Sequence, residues 1–532
     1  MNAQWANNIK DKVRKLQVKL YLSAKESKTR RFHALYDKIY REDILQRAWK
    51  DVKENAGSAG IDNETIYAIE KTGVNNILKE IARELKEGRY RPLPAKRVEI
   101  PKGNGKKRPL GIPTIRDRIV QAACKIVIEP IFEADFKPCS YGFRPRRSAH
   151  DALEEIKRAV EEKKGLLVLD ADITTYFDTI NHEKLMKLVE MRINDSRVLK
   201  LIRQWLKCGI MKDGVFYDSE VGSPQGSVIS PLLANIYLNY LDTIWEKHYS
   251  SVGTLIRYCD DFVIICRNFK DAKHAYKVVE QVMQKLDLTL NKEKTRIVNL
   301  WDGKEGFDFL GYHHRKEKRR YIDGTVYYKF QRWISDKAKK RVKQKVKECL
   351  GRNTTPLNLD NRIKALNRKI IGWRNYYGLS RWDKLNQLDN YIVMRLVMWI
   401  NAKRKQPKRK DYAMLTRFVE QLGLVTLGVC SERRTHARGI VTSCIQDTSR
   451  AGSNAICSFQ CLPQAIRHPC LKGLRLRHPC RRLDKLEAAF ELRHGKEPAT
   501  SCIMMQPMTI PLAVRLVNLG FSGRLLASYS AS

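Results

Sequence analysis

Long apolar stretches are missing from this 532-residue chain: there is no run of about 18 apolar residues and no short apolar signal core after the start. Neither a membrane span nor a secretory leader is therefore expected. Regular cysteine spacing is missing too. Thirteen cysteines, an odd count, are scattered at irregular intervals. That pattern argues against a disulfide framework and for free thiols in a reducing compartment. Acidic residues are scarce, 58 against 101 basic ones, which leaves a formal net charge of +43. A compact chain so unbalanced repels itself, and a polyanion would relieve the repulsion. Nucleic acid, held by phosphate contacts that release counterions, is the expected partner, and no membrane role is expected.

The length exceeds what a single core organises, so two to four domains are expected. Composition shifts near the C-terminus. Residues 1–420 hold six cysteines, 50 Lys and 36 Arg, whereas 421–532 hold seven cysteines, 12 Arg and three Lys. The last stretch has a different history from the rest. It contains a short echo, Ile466-Arg467-His468-Pro469-Cys470 and Leu476-Arg477-His478-Pro479-Cys480, too brief for a solenoid.

The first ~85 residues read as helical and basic. Within 42–55, Ile44, Leu45, Ala48, Trp49 and Val52 recur at helical spacing, and Ala56-Gly57-Ser58-Ala59-Gly60 ends the pattern. Residues 89–114 read as two extended runs around Gly103-Asn104-Gly105, with Pro92, Pro94, Pro101, Pro109 and Pro113 denying a helix. A helical pattern follows from 115 to Phe136. Residues 166–173 form a short apolar run broken by acids, read as a buried strand. Residues 227–245 read as a helix with Ile229, Leu232, Leu233, Ile236 and Tyr240 on one face. Between 313 and 350, 14 basic residues stand against four acidic ones. This favours a phosphate-binding surface over a merely solvated helical face. Trp373, Tyr376 and Tyr377 read as core.

The chemistry concentrates in one hairpin. Leu255-Ile256-Arg257-Tyr258 and Phe262-Val263-Ile264-Ile265 read as strands joined through Cys259-Asp260-Asp261. Two adjacent carboxylates at the tip of an apolar hairpin are costly unless something cationic holds them. Mg²⁺ uses such oxygens together with phosphates and water. Alone, the pair reads as an ordinary turn. A further acid on the 166–173 strand changes that reading, because two-metal phosphoryl chemistry needs carboxylates from separate strands. Asp170 and Asp172 share a face, and the physics of the strand does not choose between them.

The blocks LLVLDADITTYFDTINH (166–182), SPQGSVISPLLANIYLNYLD (223–242) and RYCDDFVI (257–264) resemble the palm motifs of bacterial group II intron-encoded reverse transcriptase/maturases. Further blocks follow in the family's order: 89–121, CSYGFRPRRSAHDAL (139–153), LTLNKEKTRIV (288–298), FDFLGY (307–312) and Leu366–Tyr377. The resemblance spans roughly 40–420.

It implies an α/β right-hand polymerase with fingers and an antiparallel palm over 86–312. A helical N-terminal extension (1–85) precedes these, and a basic helical thumb/maturase region (313–427) follows. Asp172 would be the first catalytic acid, since Phe177 lies five residues on, where the family keeps an aromatic gate against ribonucleotides. Asp260 and Asp261 would complete a triad holding two Mg²⁺ ions. Lys102 and Arg108 would grip the incoming triphosphate, Gln225 would pack on the nucleotide, and Phe309, Leu310, Gly311 and Tyr312 would form the primer grip. The implied activity is RNA-directed DNA synthesis, coupled to binding, splicing and copying of a group II intron RNA for retrohoming. The implied partners are that RNA, an RNA template with DNA primer and dNTPs, and target DNA, in a bacterial cytoplasm at the nucleoid. The chain departs from the family at Cys259, where Ala is frequent, and at Ser227 and Val228, where Gly is.

Cys430, Cys444, Cys457, Cys461, Cys470, Cys480 and Cys502 contain no CxxC pair. A metal-knuckle nuclease is thus not expected, and DNA priming would use an existing 3′ end, such as one at a replication fork. The 428–532 tail is expected to be a poorly ordered extension, foreign to the family. The rival reading is a non-enzymatic RNA-binding splicing factor that keeps a polymerase fold. Retention of all three acids disfavours it. His150, His182 and His313-His314 lack zinc-site spacing and read as structural or surface groups.

Overall fold

A computed structural model describes residues 3–101, 107–212, 215–217, 222, 226–404 and 422–428. The tail beyond 428, together with Lys102 and Gln225, lies outside the described residues.

The N-terminal segment is helical: Ala3–Glu26, Tyr36–Ile39, Glu42–Glu54, Ile66–Thr72 and Val74–Lys86. The helix Glu42–Glu54 buries Ile44, Leu45, Ala48, Trp49 and Val52, the stripe its spacing predicts, and Ala56 just past its end has φ 46°. That stripe packs on the helix Ile115–Glu133, which is buried on nearly every side.

Three sheets carry the rest. Strands β1 (Ala95–Pro101) and β2 (Lys107–Ile112) pair antiparallel, from Lys96 opposite Ile112 to Pro101 opposite Lys107. With β4 (Ile210–Lys212) and β5 (Val215–Tyr217) they form one sheet, in the order β2-β1-β4-β5. The second sheet contains β3 (Leu167–Ala171), β6 (Gly253–Tyr258), β7 (Asp261–Cys266) and β8 (Arg296–Asn299), in the order β6-β7-β3-β8, every pair antiparallel. Val168 and Leu169, neighbours on β3, are both fully buried, so both faces of this strand are covered, which explains its unbroken apolar run.

The helix Phe269–Lys285 packs on strands of this sheet, and against it lies the helix Ser230–Ile244. It is not amphipathic as its sequence pattern predicts. Leu232, Leu233, Ala234, Asn235, Ile236, Tyr237, Leu238, Leu241 and Asp242 are all buried, because neighbouring helices enclose it. Such a helix can carry Asn and Asp only if each finds a partner.

The third sheet, β11-β10-β9, is built from β9 (Gly306–Phe309), β10 (Tyr312–Arg320) and β11 (Val326–Ile334). Here the expectation of a helical region from 313 needs correction. Residues 313–334 are strands turning through Asp323-Gly324, and helix begins only at Asp336. The β-branched and aromatic run Val326-Tyr327-Tyr328, with Trp333 and Ile334, outweighs the basic residues that resembled a helical face. The helices Asp336–Cys349, Leu359–Tyr377 and Trp382–Lys403 then share a second core around Val342, Leu366, Ile370, Leu388 and Leu396. Trp373 and Tyr377 pack against that core, as expected.

Candidate active site

Tyr258 closes β6 opposite Asp261, the first residue of β7, so Cys259 and Asp260 form the turn. Cys259 has φ 59°, a conformation that few side chains adopt without support. It is 7% exposed, and its thiol is pushed well above its usual range by burial and by the neighbouring Asp260. Both features disfavour the thiolate form that a nucleophile needs.

Asp172 follows β3 directly. Its carbonyl accepts from Asn291 N at 2.8 Å, and its carboxylate receives Lys294 Nζ at 2.8 Å. Asp170, one pleat earlier, sits 3.7 Å from Arg296. Burial raises its carboxyl to about 6; Arg296 opposes this, while Asp308 and Asp172 add to it.

Asp261 faces solvent at the mouth of the turn but is enclosed by protein on its other sides. That crowding, followed by the charges of Asp260, Asp172 and Asp170, drives its carboxyl upward, and Lys294 pulls the other way. Four carboxylates from two strands thus converge with one lysine. Among the described residues no three acidic, His or Cys side chains already close on one metal-sized point. The all-carboxylate donor set and its mutual repulsion nevertheless fit hard divalent cations. The sequence offered Asp170 as an alternative to Asp172 on the same strand face, whereas Lys294 was not singled out; it lies inside the 288–298 block, and its charge beside a loop Asn was the available signal.

Phe177 lies in the short helix Tyr176–Thr179, half-buried, edge-on to Tyr176 at 5.4 Å. Tyr176 donates to Ala234 O at 2.7 Å and ties that helix to the buried one beneath. Arg108 is placed on β2 opposite Ile100 by backbone register alone.

Although Gln225 is outside the described residues, the loop after it is anchored. Gln121 Oε1 accepts from Ser227 Oγ at 2.7 Å and from Val228 N at 3.0 Å. The hydroxyl at 227, a departure from the family, is thus engaged. Gly226 has φ 111°, and a Cβ there would meet Gly111 O at 2.6 Å.

Phe309 and Tyr312 are buried ends of β9 and β10, joined by Leu310 (φ 50°) and Gly311 (φ 76°), the two positive values a tight two-residue hairpin turn requires. Tyr376 Oη donates to Leu310 O at 2.9 Å, and the Tyr312 hydroxyl donates to Tyr376 O. The helix Leu359–Tyr377 therefore braces this turn. Asp308 acts electrostatically on Asp170, which puts the turn beside the carboxylates.

Residues 100–314 match the family model described as "Reverse transcriptase (RNA-dependent DNA polymerase)", and residues 339–417 match "Group II intron, maturase-specific domain". Protein YkfC of Escherichia coli (strain K12) is 36% identical over 353 residues, covering 59% of this chain and 91% of that protein. The chain belongs to the group II intron-encoded reverse transcriptase/maturases. The group II intron-encoded protein LtrA of Lactococcus lactis subsp. cremoris is 29% identical over 474 residues, 72% of this chain and 77% of LtrA. A partial Cas6-RT-Cas1–Cas2 complex overlays at TM-score 0.31 with 27% identity, covering 47% of this chain and 41% of that one. As a member of this family the chain is an RNA-directed DNA polymerase with a maturase domain, on an α/β right-hand polymerase fold. Among the described residues no helix is long and apolar enough to cross a membrane.

Proposed function

We propose that this reverse transcriptase/maturase binds a group II intron RNA, assists its splicing and copies it into DNA for retrohoming into target DNA at the nucleoid. The observation that carries the reading is the convergence of Asp172, Asp260 and Asp261 from two adjacent strands with charges that oppose one another. In this reading those three carboxylates hold two Mg²⁺ ions, which when bound stabilise negative charge on the oxygens of the transferring phosphate. Lys294, held on Asp172, balances part of the carboxylate charge. Phe177 walls off the sugar of the incoming nucleotide. Lys102 and Arg108 grip its triphosphate, and Gln225 packs on it. The Phe309–Tyr312 turn holds the primer end.

The domain assignment follows: N-terminal helices to about 85, fingers and palm over 86–312, thumb/maturase over 313–427, and the tail from 428. The net charge of +43 supports a large phosphate-bearing partner.

Primer extension on an RNA template, wild type against Asp260→Asn, tests the polymerase part. The expected loss in rate is at least about 10³-fold, because a group engaged in the transition state is removed. If the wild type makes no cDNA in Mg²⁺ yet promotes splicing, the chain is a splicing factor that has kept the fold.

A further inference from the structure

The residue before the turn is a fully buried arginine. Arg257 on β6 has 0% exposure, as does its ion-pair partner Asp242 on the helix Ser230–Ile244. Its Nε donates to Asp242 Oδ1 at 2.8 Å and one Nη2 hydrogen to Asp242 Oδ2. The other Nη2 hydrogen goes to Ser140 Oγ at 2.8 Å. Nη1 donates to Asn235 Oδ1 at 3.1 Å and to Cys259 O at 2.9 Å. All five donors of the guanidinium are therefore used.

The last of these bonds differs from the others. Four tie β6 to the protein beneath it, but the bond to Cys259 O reaches forward into the turn. The Cys259 carbonyl belongs to the peptide plane that carries the nitrogen of Asp260. Holding that oxygen fixes the tilt of the plane, and with it the direction in which the Asp260 Cα is presented. The opposite side of the turn is gripped as well. Gly142 lies so close that a Cβ there would meet Cys259 N at 2.6 Å and Cys259 Sγ at 2.7 Å. Its own carbonyl accepts from Asn235 Nδ2 at 2.8 Å. Segment 139–141 is pinned to β6 by Arg257 N to Cys139 O and Tyr141 N to Arg257 O, both 2.8 Å. Cys259, in its left-handed conformation, is thus held between a guanidinium and a glycine backbone.

We propose that Arg257 is a positioning residue of the polymerase centre, acting through the Cys259 carbonyl to set the placement of Asp260 and Asp261. The proposal rests on the reading of those two carboxylates as the polymerase acids. A purely structural ion pair would serve the fold equally well without the fifth bond. Displacements of about 1 Å in a phosphoryl-transfer site cost roughly 10²-fold in rate, so small shifts of the turn are readable.

The deciding protein is the double variant Arg257→Met/Asp242→Leu. It removes a positive and a negative charge together, so net charge is unchanged. Replacing a buried ion pair with apolar groups of similar volume is often neutral or stabilising. Ser140 Oγ, Asn235 Oδ1 and Cys259 O each lose a donor, and of these three groups only Cys259 O belongs to the turn. In a variant that melts near the wild-type temperature and binds intron RNA normally, kcat for primer extension is expected to fall by about 10²-fold. KM for dNTP should stay within about twofold, and calorimetric Mn²⁺ binding to the metal-free protein should weaken several-fold. A folded double variant with wild-type kcat and Mn²⁺ affinity overturns the proposal. Should the double variant not fold, Gly142→Ala presses on the same turn from the other side and should give the same split. Wild-type kcat and Mn²⁺ binding in Gly142→Ala would equally overturn it. A wild-type chain that makes no cDNA would sink the polymerase reading instead, and the Mn²⁺ titration would still decide the role of Arg257.

Discussion

Lys294 Nζ lies 2.8 Å from Asp172 Oδ2, and the same lysine opposes the upward shift of Asp261. A single side chain thus serves as counter-ion to carboxylates from two strands. The lysine is 63% exposed, so the pair adds little to stability. Its effect should appear in cation affinity instead. Lys294→Met removes a positive charge from the carboxylate group, and divalent binding to the metal-free protein should tighten several-fold, about 1 kcal/mol at near-surface screening. Mn²⁺ titration calorimetry at low and high salt checks this. Unchanged affinity at both ionic strengths would mean that Lys294 and the ions do not share a field.

The crowded carboxylates should also trade stability for function. Asp261→Asn removes one of four converging negative charges. In EDTA the variant is expected to melt a few degrees above wild type, corresponding to about 1 kcal/mol, while cDNA synthesis is lost. Differential scanning calorimetry with and without Mg²⁺ separates the two effects. A lower melting point in EDTA would show that Asp261 is held by contacts rather than opposed by charge.

A pH effect is expected from the third sheet. His314 on β10 is fully buried, stacked on Phe307 at 4.9 Å and near Phe330 at 5.8 Å. Burial, reinforced by Arg332 and His313, pushes its pKa from 6.5 down to about 3. Below 6.5 the unfolded chain takes up a proton that the folded chain refuses, so this contribution to stability is complete above about 6.5 and is lost as pH falls toward 3. The loss approaches about 1.4 kcal/mol per pH unit in that window. His314→Phe should flatten the fall in urea-unfolding free energy between pH 6.5 and 5 relative to wild type. Parallel wild-type and variant curves would place the histidine elsewhere than in this stack.

The loop after Gln225 depends on one buried side chain. Gln121 is 3% exposed and accepts from both Ser227 and Val228. Gln121→Leu leaves that hydroxyl and N–H without a partner, a cost of about 1–3 kcal/mol. The expected kinetic result is a rise of roughly tenfold in KM for dNTP, with intron RNA affinity unchanged. If KM stays put while only the melting temperature drops, the loop is not part of the nucleotide site.

Much was legible from local pattern alone. The stripe Ile44, Leu45, Ala48, Trp49 and Val52 has one physical solution, a helix packed on one side, and it packs that way. The apolar strands around Cys259-Asp260-Asp261 likewise dictate a hairpin, since a strand's period-two geometry leaves the acids at the turn. Where two structures could satisfy the same pattern, the sequence misled. The basic stretch 313–334 reads equally well as a solvated helix face, and only cross-strand pairing of Lys318 with Tyr328 and Arg319 with Tyr327 decides for strands. The helix Ser230–Ile244 shows an apolar stripe, but its Asn235 and Asp242 are buried because Arg257, 22 and 15 positions away, folds back onto them.

The sequence by itself determined that this chain is a basic, α/β nucleic-acid polymerase with acids on two strands, because charge balance, periodicity and motif order are all properties of short segments. Tertiary structure alone decided that Asp170 and Lys294 join those acids, that Gln121 anchors the 226–228 loop, and that Arg257 reaches the Cys259 carbonyl. Each of these is a contact between distant segments, set by packing and by the need of buried polar groups for partners, and no local pattern encodes it.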